Sequence, residues 1–194
     1  MPLKVRTAER FAAWTLNSRQ RYATEEELSW LRGVAGTLPP ESLAVILGAG
    51  PGVMLAALKD GNPSMHAFLV DIDSYDYAIQ HMTEFGPEYH QDVYGLLGDS
   101  AAVGTRYSGT AADILIIDAD HSEEAVARDI ICWLSHVKEF GYIFLHDYDA
   151  EGTWFADQER YPGVKAAADR FLGGYKVVGR VGTSIIYANE RVDA

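Results

Sequence analysis

A doubly wound α/β sheet of seven strands, mostly parallel with an antiparallel C-terminal strand and with helices on both faces, is the fold class this sequence predicts. Three observations predict it. A buried apolar run opens into alternate glycines at Ala44-Val45-Ile46-Leu47-Gly48-Ala49-Gly50-Pro51-Gly52. From about Gly33 onward short apolar strands alternate with helical segments, the pattern of a parallel sheet covered on both faces. The last two strands are separated by only Val181-Gly182, too short for a crossover, so they pair as a hairpin, whereas every earlier link is long enough to cross over.

In chain order, residues 1–40 read as two helices forming a cap packed on the domain. Thr24 opens the second with Glu27 three positions on, a capping box, and Leu28, Leu31 and Val34 follow at helical spacing. This cap either covers the active site or packs on the sheet edge. Pro39-Pro40 ends it, and residues 41–194 form the sheet domain. Strands are expected at 43–48, 66–71, 92–97, 113–118, 141–147, 175–180 and 183–188, with helices between them.

The glycine loop is a turn for cradling a nucleotide. Glycine suits it because the turn is tight, φ is free to be positive and a ligand must reach bare backbone. The helix that follows, from Val53, points its N-terminus at the ligand. Val53 stands where a dinucleotide fingerprint wants glycine or alanine, which leans away from NAD. The strand Ala67-Phe68-Leu69-Val70 ends in Asp71, about 20 residues beyond the loop, where a ribose-binding carboxylate belongs in a Rossmann-like unit. Asp73 is a second candidate.

The second half carries the chemistry. Asp113-Ile114-Leu115-Ile116-Ile117 empties into Asp118-Ala119-Asp120-His121, and Gly141-Tyr142-Ile143-Phe144-Leu145 empties into His146-Asp147-Tyr148-Asp149. Ligands of open α/β sheets bind at such carboxyl ends, so Asp118, Asp120, His121, His146 and Asp147 converge on the mouth that holds the glycine loop. Asp120 or Ser122 alternatively caps the next helix. His66, His81, His90 and His136 read as packed or solvated. Tyr75 and Tyr77 lie near the adenine or simply pack, and Trp154, Phe155 and Tyr161 fall in a loop suited to acceptor contact.

Bulk composition excludes several function classes. With 48% hydrophobic and 23% charged residues the chain is an ordinary globular one, without a long apolar run or a leader pattern, so a cytoplasmic location and no membrane partner are expected. A net charge of −12 opposes nucleic acid. The single cysteine, Cys132, forms no internal disulfide or cysteine cluster and reads as a packed core thiol. A homo-oligomer is left open.

Together Gly48-Ala49-Gly50-Pro51-Gly52, Val70-Asp71, Leu97-Gly98-Asp99-Ser100, Ile117-Asp118-Ala119-Asp120-His121-Ser122, the run Val137 to Tyr148 and Pro162-Gly163-Val164-Lys165 carry a resemblance. Over roughly residues 42–188 the chain resembles class I S-adenosylmethionine-dependent methyltransferases, in the branch of macrolide-sugar O-methyltransferases and cephalosporin-hydroxylase-like proteins. The resemblance makes 41–194 the S-adenosylmethionine-binding domain. It implies that Gly48, Ala49, Gly50 and Gly52 lie against the methionine part of the cofactor, Asp71 with Ile72 at the ribose, Asp99 with Ser100 at the adenine, and Asp118 completing the set. It implies further a divalent cation, Mg²⁺ or Mn²⁺, at Asp118, His146 and Asp147, and His121 as general base toward a small hydroxylated acceptor of sugar or natural-product type. Two positions depart from the pattern. Ile46 stands where the family has an acid, and His146-Asp147 replaces a Glu-Asp pair, which favours Mn²⁺, Fe²⁺ or Zn²⁺ over Mg²⁺. An NAD(P)-dependent oxidoreductase and a non-catalytic cofactor-binding module are the alternatives.

Overall fold

A computed structural model describes residues 23–73, 91–149 and 162–192. Helix α1, Glu25–Thr37, begins where the capping box places it: Glu27 N–H donates to Thr24 Oγ1 at 3.2 Å and Thr24 N–H donates to Glu27 Oε2 at 2.6 Å. Three glutamates in its first turn complement the positive end of the helix dipole. Its apolar stripe, Leu28, Leu31 and Ala35, packs in one buried cluster with α2, Val53–Gly61.

Beyond α1 run β1 (Leu43–Leu47), α2, β2 (His66–Asp71), β3 (Val93–Leu97), α3 (Ser100–Arg106), β4 (Ala112–Ile117) and α4 (Glu123–Trp133). A 3₁₀ turn at Leu134–His136 leads to β5 (Val137–Leu145), α5 (Pro162–Leu172), β6 (Tyr175–Val181) and β7 (Ser184–Arg191). The seven strands lie in the order β3-β2-β1-β4-β5-β7-β6. Strands β1 to β5 pair in parallel, while β7 runs antiparallel to both β5 and β6. The expected fold class is therefore the observed one.

Alternate residues of the central strands feed two cores, as the period of a strand buried on both faces requires. Ile46, Ile114, Ile116, Phe144 and Ile186 face α1 and α2. Val45, Leu47, Leu115, Ile117, Ile143, Leu145 and Ile185 face α4 and α5.

The structure corrects several boundaries. Strand β5 starts at Val137, not 141, through an irregular register between Ala112 and Ile114, with Phe140 at φ 62°. It ends at Leu145, so His146 and Asp147 lie in the turn beyond it, with Asp147 in the left-handed region at φ 54°. The hairpin turn is Gly182-Thr183 rather than Val181-Gly182, because Val181 pairs with Ser184, and β7 extends to Arg191 because Tyr175 pairs with it. Cys132 is half-buried at the rim of the second core and accepts a hydrogen bond from Thr105 Oγ1 at 3.4 Å. It lies off the buried stripe Val126-Asp129-Ile130-Trp133 of α4 and so misses the centre of the core. The first expected helix, and Tyr75, Tyr77, His81, His90, Trp154, Phe155 and Tyr161, lie outside the described residues. Among the described residues no helix is long and apolar enough to cross a membrane.

One turn ties the last hairpin to the first helix. Gly182 has φ 54°, and a Cβ there would run into Thr24 Oγ1 and come within 2.8 Å of Glu27 Cδ. Gly182→Ala is expected to lower stability by about 2 kcal/mol or more through backbone strain and this clash. Gly174→Ala, where nothing lies within 4 Å, is the control and is expected to change stability by less than about 0.5 kcal/mol in urea unfolding.

Candidate active site

Each central strand carries its ladder one residue further before its loop departs. Gly48 N–H donates to Val70 O at 2.8 Å, Gly98 N–H to Asp71 O at 2.8 Å, Asp118 N–H to Leu47 O at 2.9 Å and His146 N–H to Ile117 O at 3.2 Å. The loops after β1, β2, β3, β4 and β5 thus leave the sheet at one edge. At its middle the first and fourth loops touch: a Cβ on Gly48, at φ 85°, would collide with the Asp118 carbonyl. A side chain at 48 would therefore wedge these two loops apart.

Within the rest of the glycine loop Gly50 is the open position. Gly50, at φ 46°, has nothing within 4 Å of its Cβ position. Gly52 is the left-handed N-cap of α2 and supplies no side-chain cap, so the first-turn N–H groups of α2 have no side-chain acceptor from that residue. Ala49 N–H donates to Asp71 Oδ2 at 2.8 Å and Asp73 N–H donates to Asp71 Oδ1 at 3.0 Å. Asp71 is thereby fixed at the loop, one bond on each oxygen, with further acceptor lone pairs remaining. Ile72 stands 72% exposed beside it, an apolar surface next to a carboxylate.

At the third loop Asp99 caps α3, accepting from Ala102 N–H at 2.8 Å, and its other oxygen is 3.8 Å from Arg128. Ser100 turns inward. Its hydroxyl donates to Asp129 Oδ1 at 2.5 Å and its carbonyl accepts from Trp133 Nε1–H at 2.9 Å. Burial pushes the Asp129 carboxyl up to about 6 against the Ser100 hydrogen bond. At the fourth loop the helix cap is Ser122, which accepts from Ala125 N–H at 3.3 Å, while Asp120 accepts from Ser122 N–H at 2.7 Å. Asp120 thus shapes the turn into α4 and stays outside the acid–imidazole cluster.

Asp118, His121, His146 and Asp147 converge, with one ligand atom from each within 4.8 Å of all the others. His146 Nδ1 lies 2.9 Å from Asp118 Oδ1 and 3.3 Å from Asp147 Oδ2. His121 Nε2 lies 3.5 Å from Asp118 Oδ1 and 3.4 Å from Asp147 Oδ2. Burial pushes the His121 imidazole down, but the two carboxylates outweigh it and raise it to about 9. Burial acts in the same sense on His146, and Asp118, Asp147 and Glu27 together hold it well above the usual histidine range. Burial would raise Asp147; the two imidazoles instead hold it well below the usual carboxylate range. In both rings the surrounding acids thus favour the charged form over burial.

Sequence reasoning missed the residue under this cluster. Glu27 is fully buried, and its Oε2 lies 3.6 Å from His146 Nε2. Its Oε1 accepts from Thr183 N–H at 3.0 Å, from the Thr183 hydroxyl at 3.0 Å and from the Ser184 hydroxyl at 2.6 Å. Thr183 Oγ1 also lies 3.0 Å from Asp147 Oδ1, within reach of either carboxylate for its one proton. Burial would raise the Glu27 carboxyl, yet His146, Ser184 and Thr24 bring it down to about 2. The capping box was the only sequence signal at Glu27.

A glycine loop after β1, an acid at the end of β2 and a sheet whose β7 inserts between β5 and β6 define the class I methyltransferase architecture. The family described as methyltransferase domain matches residues 45–148, and the chain belongs to it. It is an S-adenosylmethionine-dependent methyltransferase, and the NAD(P) oxidoreductase and non-catalytic alternatives fall with that assignment. Solved structures share the fold. An SAH-bound methyltransferase of Podospora anserina superposes with a TM-score of 0.72 at 16% identity, covering 100% of this chain and 89% of that one. A protein assigned as a caffeoyl-CoA O-methyltransferase of Staphylococcus aureus gives 0.73 at 10% identity, covering 93% and 90%. One assigned as an O-methyltransferase of Klebsiella pneumoniae gives 0.69 at 16% identity, covering 100% and 91%. No curated protein matches the chain in sequence.

Two outcomes follow from this geometry. Thermal stabilisation by S-adenosylhomocysteine is expected to disappear in Asp71→Ala, which removes the carboxylate at the end of β2 and its tie to Ala49; a shift equal to that of the wild type removes Asp71 from the expected cofactor contacts. For Asp129, the folded value of about 6 exceeds the unfolded value of about 3.9. The folded state therefore retains a proton that the unfolded state has lost, and wild-type stability falls as pH rises through that window. Relative to wild type, Asp129→Asn is expected to gain about 2 kcal/mol between pH 4 and pH 7 in urea unfolding.

Proposed function

We propose that the protein transfers a methyl group from S-adenosylmethionine to a hydroxyl oxygen of a small acceptor, of sugar or natural-product type, at the centre formed by Asp118, His121, His146 and Asp147. That cluster beside the glycine loop is the observation that carries the reading. The O-methyltransferase assignments of the Staphylococcus aureus and Klebsiella pneumoniae structures support the choice of oxygen as nucleophile.

The residues present fit the cofactor. The bare backbone at Gly50 and the N-terminus of α2 offer N–H donors and the positive end of a dipole to the methionine carboxylate. Asp71 accepts from ribose hydroxyls, Ile72 lies along the ring system, Asp99 meets the adenine amine, and Ser100, held by Asp129, sets the position of the Asp99 backbone.

A divalent cation fits as well. Ligands at ~2.1 Å from one ion lie ~3–4.2 Å apart; the separations of 3.3 to 3.5 Å fall in that range, the His146–Asp118 contact of 2.9 Å lies just under it, and the four ligand atoms together lie within 4.8 Å of one another. Asp118, Asp147 and His146 would hold the ion, and a mixed nitrogen and oxygen set favours Mn²⁺, Fe²⁺ or Zn²⁺ over Mg²⁺. When bound, the cation polarises the acceptor oxygen and lowers its pKa.

His121 is assigned to the proton. It is the more open imidazole, with 21% of its side chain exposed against 9% for His146. Its neutral form is the one that accepts a proton, and engagement of Asp118 and Asp147 by another cation lowers its affinity for its own. The acceptor oxygen attacks the methyl carbon, the carbon–sulfur bond breaks with its electrons to sulfur, and the hydroxyl proton passes to the His121 imidazole. The protein's share of the catalysis is alignment and removal of that one proton.

Incubation of the protein with methyl-labelled S-adenosylmethionine, Mn²⁺ and a panel of sugars, vicinal diols and catechols tests the reading. His121→Ala is expected to bind S-adenosylhomocysteine normally and to lose about 10²–10⁴ in turnover. Asp147→Asn is expected to lose Mn²⁺ binding; unaltered Mn²⁺ affinity in that variant removes the metal from the proposal.

A further inference from the structure

We infer that Glu27 is a positioning residue for the acid–imidazole centre, which makes α1 part of the site. The inference rests on the reading of the centre as a cation site. Its argument is geometric. A capping box needs one carboxylate oxygen, and Oε2 fulfils it by accepting from Thr24 N–H. Oε1 has no part in the cap and collects three donors from the β6–β7 turn, across more than 150 residues of sequence. The capping carboxylate is thereby locked with Oε2 toward His146 Nε2.

A ring of neighbouring polar groups results, with the single Thr183 hydroxyl proton shared between two carboxylates. Glu27 Oε2 faces His146 Nε2 at 3.6 Å, His146 Nδ1 faces Asp147 Oδ2 at 3.3 Å, Asp147 Oδ1 lies 3.0 Å from Thr183 Oγ1, and Thr183 Oγ1 lies 3.0 Å from Glu27 Oε1. Both members of the turn beyond β5 are oriented from behind. A carboxylate on one ring nitrogen fixes which nitrogen is offered on the other side and which way the ring points. Here Glu27 Oε2 faces Nε2 at 3.6 Å, and Nδ1 is the atom turned toward Asp118 and a bound ion. Gly182 allows the approach, since any Cβ there would push the turn off Thr24 and Glu27.

The test uses the full chain. Mn²⁺ affinity is measured by calorimetry and by electron paramagnetic resonance for wild type, Glu27→Gln and Thr183→Val, with S-adenosylhomocysteine affinity as the control. Glu27→Gln is expected to weaken Mn²⁺ by about 10–100-fold while cofactor affinity is unchanged. Equal Mn²⁺ affinity in wild type and a folded Glu27→Gln overturns the inference and leaves the cation reading standing. Should Glu27→Gln fail to fold, Thr183→Val decides, because it removes the bridging hydroxyl and keeps the capping box; unchanged Mn²⁺ affinity there overturns the inference. If the wild type itself binds no Mn²⁺, the cation reading fails, and the tie is read by nitrogen-15 resonances of the histidine rings in metal-free protein. The Nε2 signal lost in His146→Gln is then expected to shift in Glu27→Gln, or in Thr183→Val if that variant replaces it, and an unmoved signal overturns the inference.

Discussion

The contact on which the site depends is the approach of Gly48 to the backbone of Asp118. Strands β1 and β4 run in register to their ends, with Leu47 opposite Ile117, and the next residue of each continues the ladder before the chains diverge. With no side chain at 48 the two loops close against each other; with one, they could not. One missing Cβ therefore sets the distance between the glycine loop and the acid–imidazole cluster that begins at Asp118.

Charge then sets what the second half can tolerate. Four ionisable groups gather at the edge of the sheet, with Glu27 buried beneath them. A buried carboxylate without partners is expensive, and here each acid finds an imidazole or several donors. Two imidazole rings face three carboxyl groups from three parts of the chain: α1, the loop after β4 and the turn after β5. The pattern is that of a site whose protons stand where a cation would fit, since an ion bound by Asp118 and Asp147 answers the same negative charge.

Much of this was legible in the sequence. The strands were legible because the central ones are buried on both faces and read as unbroken apolar runs between turn residues. The acid–imidazole cluster was legible because strand ends of an open parallel sheet share one edge, so Asp118-x-x-His121 and His146-Asp147 had to meet whatever their separation along the chain. The position of β7 was not, because a two-residue hairpin fixes that β6 and β7 pair but leaves open which of them lies against β5. Nor was the inward turn of Ser100, whose hydroxyl goes to a buried aspartate on α4. Sequence spacing places a serine next to Asp99 and contains nothing about Asp129, which needs the packing of α3 on α4.

Glu27 shows where local reading stops and why. Its spacing from Thr24 announces a cap, and the cap forms. A carboxylate has two oxygens, however, and the second is matched to donors on a turn that only the closed sheet brings into reach. Burial of this group is unfavourable unless those donors are present, so α1, the β6–β7 turn and the turn after β5 gain their stability jointly or not at all. A cap made by a neutral glutamine-type side chain would close the helix equally well. What a charged, buried glutamate adds is a fixed negative charge behind His146, and that property belongs to the site rather than to the helix.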